Sequence, residues 1–293
     1  MTSDPEQFAE WLRRRGQRVI RTQSSYWAEA APLVFQAFPY HWVISPTEQE
    51  LSQFITAQPA ICLRFSTPVR APSGAISYHI VLYVKDYDLF TLRKQARYNV
   101  RRGLRKFRIE SIPFGRMADE GWILQQDTLD RQSRHKSLGK SDWEVLCRAT
   151  DGLVGFEAWG ATVSGRLAAS AITFRMGDCY YWLYQNCLRQ HMPDLVNNAL
   201  CFSVTRNLIS RPGTESILYT LQSLDAPSSV DEFKFHMGYS ALPVRQRVVF
   251  HPWLRPFINP ASHMLMRKVL HLHPDNYTFS KMEGMMRYYL QGI

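Results

Sequence analysis

Four arginines, Arg93, Arg97, Arg101 and Arg105, recur at intervals of four within residues 93–108, a segment that holds eight basic residues and no acidic one. That spacing puts their guanidinium groups along one side of a helix. Leu92, Ala96, Val100 and Leu104 recur at the same interval one position earlier, so an apolar stripe runs beside the cationic one and anchors the helix to a core. The chain carries a formal charge of +10, most of it on this segment. Four like charges so spaced destabilise an isolated helix by ~0.2 to 0.5 kcal/mol per pair. The stripe therefore calls for an anionic partner: glutamates on another element, or a phosphate-bearing ligand that matches the planar fork of arginine.

Other residues have the chemistry of proton transfer. Glu157 follows Phe156 and precedes Trp159, and a carboxylate in apolar surroundings has the raised pKa of a general base; the position also reads as a strand-edge glutamate facing solvent. Tyr180, Tyr181 and Tyr184 lie on one aromatic run, where a phenol can protonate a leaving group. Simple alternation turns Tyr180, Trp182 and Tyr184 to one face and Tyr181 and Leu183 to the other, with packing the role of at least two tyrosines. Lys234 stands inside Phe-Lys-Phe, where flanking aromatics bury its stem and aim the ammonium into a cleft, unless it is a solvated lysine on a short helix. Asn197 and Asn198 open a helix and either cap it or bind a ligand. His271 and His273 have no carboxylate or cysteine cluster near them in sequence, so no metal is assigned.

The elements that position these residues follow from periodicity and turn residues. Phe8 to Arg15 predicts a short helix, and Tyr26 to Phe38 a second one interrupted by Pro32. Ala60 to Phe65 and Ala75 to Val84 predict strands, with Thr67 to Gly74 as the connection of a hairpin between them. The basic helix and a short strand, Arg108 to Ile112, come next, and Pro113, Gly115 and Gly121 mark the boundary between halves. Two helices follow, Trp122 to Arg131 and Ser141 to Ala149, joined by a rim loop with Arg134, His135 and Lys136. Gly155 to Val163 and Arg166 to Phe174 predict a hairpin turning at Ser164-Gly165. The aromatic strand Cys179 to Cys187, a helix from Leu195 to Ser210 and a strand from Ser216 to Gln222 lead to a short helix, Pro227 to Met237. Gly238 closes that helix, and Val244 to Phe250 is the last strand. The tail from His251 to Ile293, with Met264, Met266, Met282, Met285 and Met286, predicts helix that packs on the first half or on another copy of the chain.

At 293 residues the chain fits two compact domains, or one with a large extension. Hydrophobic residues at 45% and charged residues at 20% exclude a disordered chain. Five cysteines without a C-x-x-C pair exclude a disulfide framework and a zinc ribbon, and a reducing cytosol is the default. The start lacks the apolar stretch of a secretory signal, and no apolar run reaches the ~20 residues of a membrane span. The expectation is a cytoplasmic protein without a transmembrane segment.

The element order over roughly residues 118 to 250 resembles the GNAT superfamily of N-acetyltransferases, and looks most like the branch of the Fem peptidoglycan aminoacyl transferases. Three pieces carry the resemblance: the hairpin from Trp159 to Ser170, the aromatic strand with its polar exit Gln185-Asn186, and Asp231 to Tyr239 with its Phe233-Lys234. The helix with Arg97, Arg101 and Arg102 resembles the arginine-rich helix of the Fem first domain. GNAT enzymes usually hold the pyrophosphate of coenzyme A on an R-x-x-G-x-G/A loop at a helix N-terminus. The corresponding stretch here, Arg189 to Asn198, contains no glycine, so a close phosphate cradle is not encoded, although a helix N-terminus still arrives after Asp194.

The resemblance implies an α+β fold, a GNAT-like mixed sheet flanked by helices in two GNAT-like halves of which the N-terminal one is degenerate. The boundaries expected are 1–115, 116–250 and a helical extension at 251–293. It implies transfer of an acyl or aminoacyl group from an activated donor, acyl-coenzyme A or aminoacyl-tRNA, to an amine by direct attack. Glu157, Tyr184 and Lys234 are the catalytic candidates, Lys234 steadying the developing charge. Arg97, Arg101, Arg105, Asn186, Arg189, His191 and Asn198 are the candidates for binding a phosphate-bearing small molecule or a tRNA-linked donor. No permanently bound cofactor is expected, acyl-coenzyme A being a donor substrate, and the C-terminal helix is the expected surface of a homo-oligomer. The reading from another class is a noncatalytic module whose arginine helix holds nucleic acid or an anionic membrane surface; nucleic-acid binding of that kind weakens steeply with salt.

Overall fold

The computed structural model describes residues 4–132, 139–223, 229–273 and 276–293; Arg134, His135 and Lys136 of the expected rim lie outside them. In chain order the first elements are α1 (Pro5–Arg14), β1 (Val19–Arg21), β2 (Tyr26–Ala31), β3 (Val34–Phe38), α2 (Glu48–Ala57), β4 (Cys62–Thr67), β5 (Ala75–Leu82), α3 (Lys94–Leu104) and β6 (Arg108–Ile112). There follow α4 (Phe114–Arg131), α5 (Lys140–Arg148), β7 (Phe156–Val163), β8 (Arg166–Met176), β9 (Cys179–Cys187), α6 (Val196–Ile209), β10 (Ser216–Leu221), α7 (Ser229–His236), β11 (Ser240–Phe250), α8 (Pro260–Leu272) and α9 (Tyr277–Gln291). The fold is α+β, with eleven strands among the described residues forming mixed β-sheet flanked by helices. Among the described residues no helix is long and apolar enough to cross a membrane.

Two compact units divide the chain: Met1–Arg15, Ile80–Thr220 and Ser228–Ser240 form the first, and Gly16–His79, Leu221–Pro227 and Ala241–Ile293 the second. Their edges do not coincide with the boundaries expected at 115 and 250, since α3 belongs with β6 to β10 and the tail belongs with β1 to β4.

In the second unit the strands run β1-β2-β3-β4-β11-β5. Two expectations fail here. Tyr26 to Phe38 is a hairpin, β2 and β3, because Pro32 ends one run of strand-forming residues and Leu33, at φ 61°, makes the turn. Trp27 on that hairpin packs against Phe54 and Phe65, ring centroids 5.4 and 5.7 Å apart. Nor are β4 and β5 a hairpin: β11 lies between them, antiparallel to β4 from Arg245 opposite Thr67 to Phe250 opposite Cys62. Met286 and Tyr288 of α9 are buried with Cys62, Ala75, Val248 and Phe250, so the tail completes this unit's core.

The three neighbouring strands β4, β11 and β5 also bring polar side chains together. Arg64 Nε donates to Gln246 Oε1 at 3.1 Å, which fixes the Gln246 amide nitrogen as the donor to Ser66 Oγ at 2.6 Å. Ser66 Oγ also lies 2.7 Å from His79 Nε2, so the buried imidazole shares a hydrogen bond with it. Burial pushes the His79 pKa down to about 4, with His41 and Arg64 adding to the effect.

In the first unit β6, β7, β8 and β9 are antiparallel neighbours and β10 runs parallel to β9. The β7–β8 turn is the expected Ser164-Gly165, both at positive φ (51° and 78°), which suits the twist of a two-residue hairpin. Helices α1, α4 and α5 cover one face, tied by Trp11 Nε1 donating to the Leu146 carbonyl and Trp143 Nε1 to the Met117 carbonyl. Helix α6 covers the other, and α3 packs on α6. The apolar stripe of α3 holds at Leu92, Ala96 and Val100 but not at Leu104, which is exposed. Gly103 takes the packing position instead: a Cβ there would meet the Leu195 carbonyl oxygen at 2.7 Å and Ala199 Cβ at 2.9 Å.

Two outcomes follow from these contacts. Gly103→Ala gains up to ~1 kcal/mol of helix propensity but overpacks against backbone, so urea denaturation should show a net loss of about 1 to 2 kcal/mol. Between its ordinary value of 6.5 and about 4, the His79 imidazole takes up a proton only in the unfolded chain. Stability is then whole above pH 6.5 and falls by up to ~3 kcal/mol as pH drops to 4. Unfolding midpoints against pH should show this fall, and His79→Gln should flatten it.

Candidate active site

Strand β9 departs from its partner in the middle. Ile172 lies opposite Tyr184 but Thr173 opposite Trp182, so Leu183 is an extra residue. The bulge corrects the simple alternation: Tyr184 shares a face with Tyr181 and packs edge-on to Trp143 at 5.9 Å, while Trp182 and Gln185 share the face of α6. A cleft of about 450 Å³ opens beside this bulge, lined by Arg131, Trp182, Tyr184, Gln185, Asn197, Tyr219 and Lys234 among others.

The wall of the cleft is aromatic. Trp182 stacks on Tyr219 at 5.2 Å, and Tyr239 meets Tyr219 edge-on at 5.1 Å. Trp182 Nε1 donates to the Tyr239 hydroxyl at 2.9 Å, and that hydroxyl shares a hydrogen bond with Thr205 Oγ1 at 2.8 Å. Burial, with Cys201 and Tyr239 beside it, pushes the Tyr219 hydroxyl well above its ordinary pKa, so it stays protonated and donates to Gln185 Oε1. Gln185 Nε2 donates to Asn197 Oδ1 at 3.2 Å and Asn197 Nδ2 to Cys187 Sγ at 3.1 Å. The hydrogen bonds thus run in one direction from β10 through β9 to the first turn of α6.

Lys234 lines this cleft. It is 8% exposed, its Nζ lies 2.7 Å from Asp231 Oδ1, and the same ammonium stands 5.4 Å from the centroid of the Tyr219 ring. Tyr184 also lines the cleft, its hydroxyl accepting from Arg15 Nη2 at 3.3 Å. Glu157 does not line it and does not stand in apolar surroundings. Its carboxylate is gripped by both Nη atoms of Arg211, which also reaches the Tyr180 hydroxyl at 2.9 Å and Asn207 at 2.7 Å. Burial lowers the Arg211 pKa, but its bonds to Glu157 and Tyr180 outweigh that and hold it above its usual value.

The other binding candidates divide. Asn186 is buried on the face away from Gln185, and its amide nitrogen has no hydrogen-bond partner among the described residues. Asn198 turns its amide to Met237 Sδ at 3.5 Å; its neighbour Asn197 lines the cleft instead. Arg189 is exposed, with its backbone N–H donating to Asp127 Oδ2 at 2.9 Å. His191 packs edge-on to Phe107 at 5.5 Å, with Nδ1 3.8 Å from Asp194.

These residues do not make a coenzyme A cradle. At the α6 N-terminus Asp194 already supplies an anion, its pKa lowered by Lys106, whose Nζ is 2.5 Å away. Gly103 closes the approach at Leu195. The arginine stripe is different: among the described residues no carboxylate forms an ion pair with Arg97, Arg101, Arg102 or Arg105. Arg97 is half-buried, its guanidinium 5.6 Å from the Phe90 ring and its Nη2 3.4 Å from the Leu92 carbonyl, with Nε unpartnered; Arg101 and Arg105 are exposed.

Sequence reasoning missed Arg131, Tyr219 and Asn197's part in the hydrogen-bond run. Arg131 holds the edge of the cleft by donating to the Cys187 carbonyl at 3.0 Å and pairing with Asp127 at 3.0 Å. The i,i+4 spacing of Asp127 and Arg131 carried a signal for that pair; nothing local marked Tyr219.

No family model and no curated protein matches the sequence. By structure the chain is similar to FemX, with a TM-score of 0.61 and 11% identity, covering 85% of this chain and 92% of that one. It is similar also to the C-terminal domain of a putative lysylphosphatidylglycerol synthetase from Agrobacterium fabrum (TM-score 0.57, 14% identity, 85% and 88% covered). L-PGS from Bacillus licheniformis matches at TM-score 0.51 and 13% identity, with 85% and 92% covered. The chain has the GNAT/Fem-like fold. In this fold the expected sheet and the Phe-Lys helix stand as the resemblance implied.

Glu157 acts as a structural ion pair in this arrangement. Glu157→Gln should therefore cost about 1 to 3 kcal/mol in urea denaturation by leaving the partly buried Arg211 guanidinium without its charge partner. Equal stability of variant and parent would show that Asn207 and Tyr180 suffice to hold Arg211.

Proposed function

We propose that the chain is an N-acyltransferase that moves an aminoacyl group from an ester donor, aminoacyl-tRNA, to an amine acceptor by direct attack in the cleft beside the β9 bulge. The observation that carries the reading is the Lys234 ammonium, buried and steered by Asp231 over the Tyr219 ring inside that cleft. In the reaction the amine nitrogen attacks the ester carbonyl carbon, a C–N bond forms, and the C–O bond to the ribose breaks. Negative charge grows first on the carbonyl oxygen and then on the leaving oxygen, which takes up the proton that the amine loses. A desolvated ammonium is worth most where such charge develops. Tyr184 also lines the cleft, with its hydroxyl held by Arg15. The acid at the α6 N-terminus and the close approach of Gly103 favour an ester donor over a coenzyme A thioester. The arginine stripe, without carboxylate partners among the described residues, supplies contacts for the phosphates of donor or acceptor.

Transfer of a labelled aminoacyl group from aminoacyl-tRNA to free amine acceptors tests the reading. Lys234→Met should lower the single-turnover rate by about 10² to 10³, the loss usual for a transition-state donor, while Glu157→Gln retains it. Arg97→Ala with Arg101→Ala should raise KM with kcat little changed, as expected for lost uniform binding. A Lys234→Met rate equal to that of the parent would refute the assignment.

A further inference from the structure

We propose that residues 253–272 form a docking surface for an anionic phospholipid bilayer. Helix α8 carries apolar residues on both sides. Its inner side packs through Met266 on the cluster of Cys62, Val248, Phe250 and Met286, and His263 Nε2 meets Glu283 of α9 at 2.8 Å. Its outer side repeats Ala261, Met264, Leu265, Lys268 and Leu272 at spacings of three, four, seven and eleven, one face of a helix. An outer face of a water-soluble helix is ordinarily polar; here Met264 is 58% and Leu272 74% exposed. Trp253 and Phe257, in the turn before the helix, are exposed to a similar degree.

Charge selects the occupant. Residues 251–274 contain Arg255, Arg267 and Lys268 and no acidic residue. Lys268 lies in the middle of the apolar face, and Arg267 flanks it. A second copy of the chain fits this face poorly, because a two-fold interface pairs a patch with itself and would bring together two faces that carry Arg267 and Lys268 and, among the described residues, no carboxylate. A bilayer accepts the same pattern: Met264, Leu265, Leu272, Trp253 and Phe257 enter the headgroup and acyl boundary, while Lys268 and Arg267 extend their charged ends to lipid phosphates. None of residues 253–272 lines the cleft of the proposed transferase, and the test of this surface requires no turnover.

Cosedimentation of the full chain with phosphatidylglycerol-containing vesicles and with pure phosphatidylcholine vesicles tests the proposal, at fixed salt. The expected result is at least about tenfold tighter binding to the anionic vesicles, lost in Met264→Glu with Leu265→Glu. Lys268→Glu, which keeps the apolar residues, should weaken binding to anionic vesicles alone. Arg101→Glu with Arg105→Glu, on α3, should leave binding largely in place. Circular dichroism of each variant separates lost binding from lost fold, and Lys268→Glu is read where the double variant fails to fold. The proposal is overturned by equal binding to both vesicle types, by no binding, by loss only in the α3 variant, or by a lipid-free dimer that Met264→Glu and Leu265→Glu dissociate.

Discussion

The cleft depends on one extra residue. A strand's side chains alternate between faces, so inserting a residue reverses every face beyond it. Leu183 does this in β9. Before it, Tyr180 and Trp182 face α6. After it, Gln185 and Cys187 face α6 where unbroken alternation would have turned them under α4. Without the insertion Gln185 could not accept from Tyr219 or donate to Asn197, and the directed run of hydrogen bonds from β10 to α6 would have no middle member. The same reversal sends Tyr184 to Trp143 and Arg15. The bulge therefore splits an aromatic strand into a packed half and a site-building half.

A second constraint acts at the other end of the site. Helix α3 reaches the first turn of α6 closely enough that only glycine fits at position 103, and Lys106 just beyond it neutralises Asp194. A helix N-terminus is a ready anion site when its approach is open; here the approach is taken by the chain's own helix and carboxylate. The arginine stripe is presented on the outer side of that same helix. Packing and charge presentation are thus two faces of one element, as the paired stripes of its sequence indicate, with Gly103 rather than Leu104 closing the packed one.

What the sequence made legible was local. The β7–β8 hairpin, the aromatic strand and the Phe-Lys helix each carry a strong period or turn signal, and each forms at or near its expected place. The β2–β3 hairpin is hidden from local reading because Pro32 interrupts a helical pattern as readily as it turns the chain between two runs rich in aromatics. Helix α2 was overlooked although Thr47 and Glu50 hold the spacing of a capping box, and the Thr47 hydroxyl does accept from the Glu50 N–H at 3.1 Å. The β4–β11–β5 order was beyond local reading, since its middle strand comes more than a hundred residues later. The surroundings of Glu157 are beyond local reading for the same reason: its neighbours in sequence are apolar, but its partner in space, Arg211, is 54 residues away.

Charge pairing ties the site to the surface. Glu157, Asp194, Asp127 and Asp231 each hold a named cation, so these carboxylates serve to position basic groups. Lys234 is the informative case, because a buried ammonium is tolerated only with a partner that offsets its desolvation. Asp231, one helical turn before it, provides that partner at 2.7 Å and leaves the ammonium beside the Tyr219 ring. The i,i+3 spacing fixes the pair within one short helix, and the aromatic ring favours a cation at its face. The proposed acyl transfer draws on this arrangement: an ammonium held by one carboxylate and turned to an aromatic face.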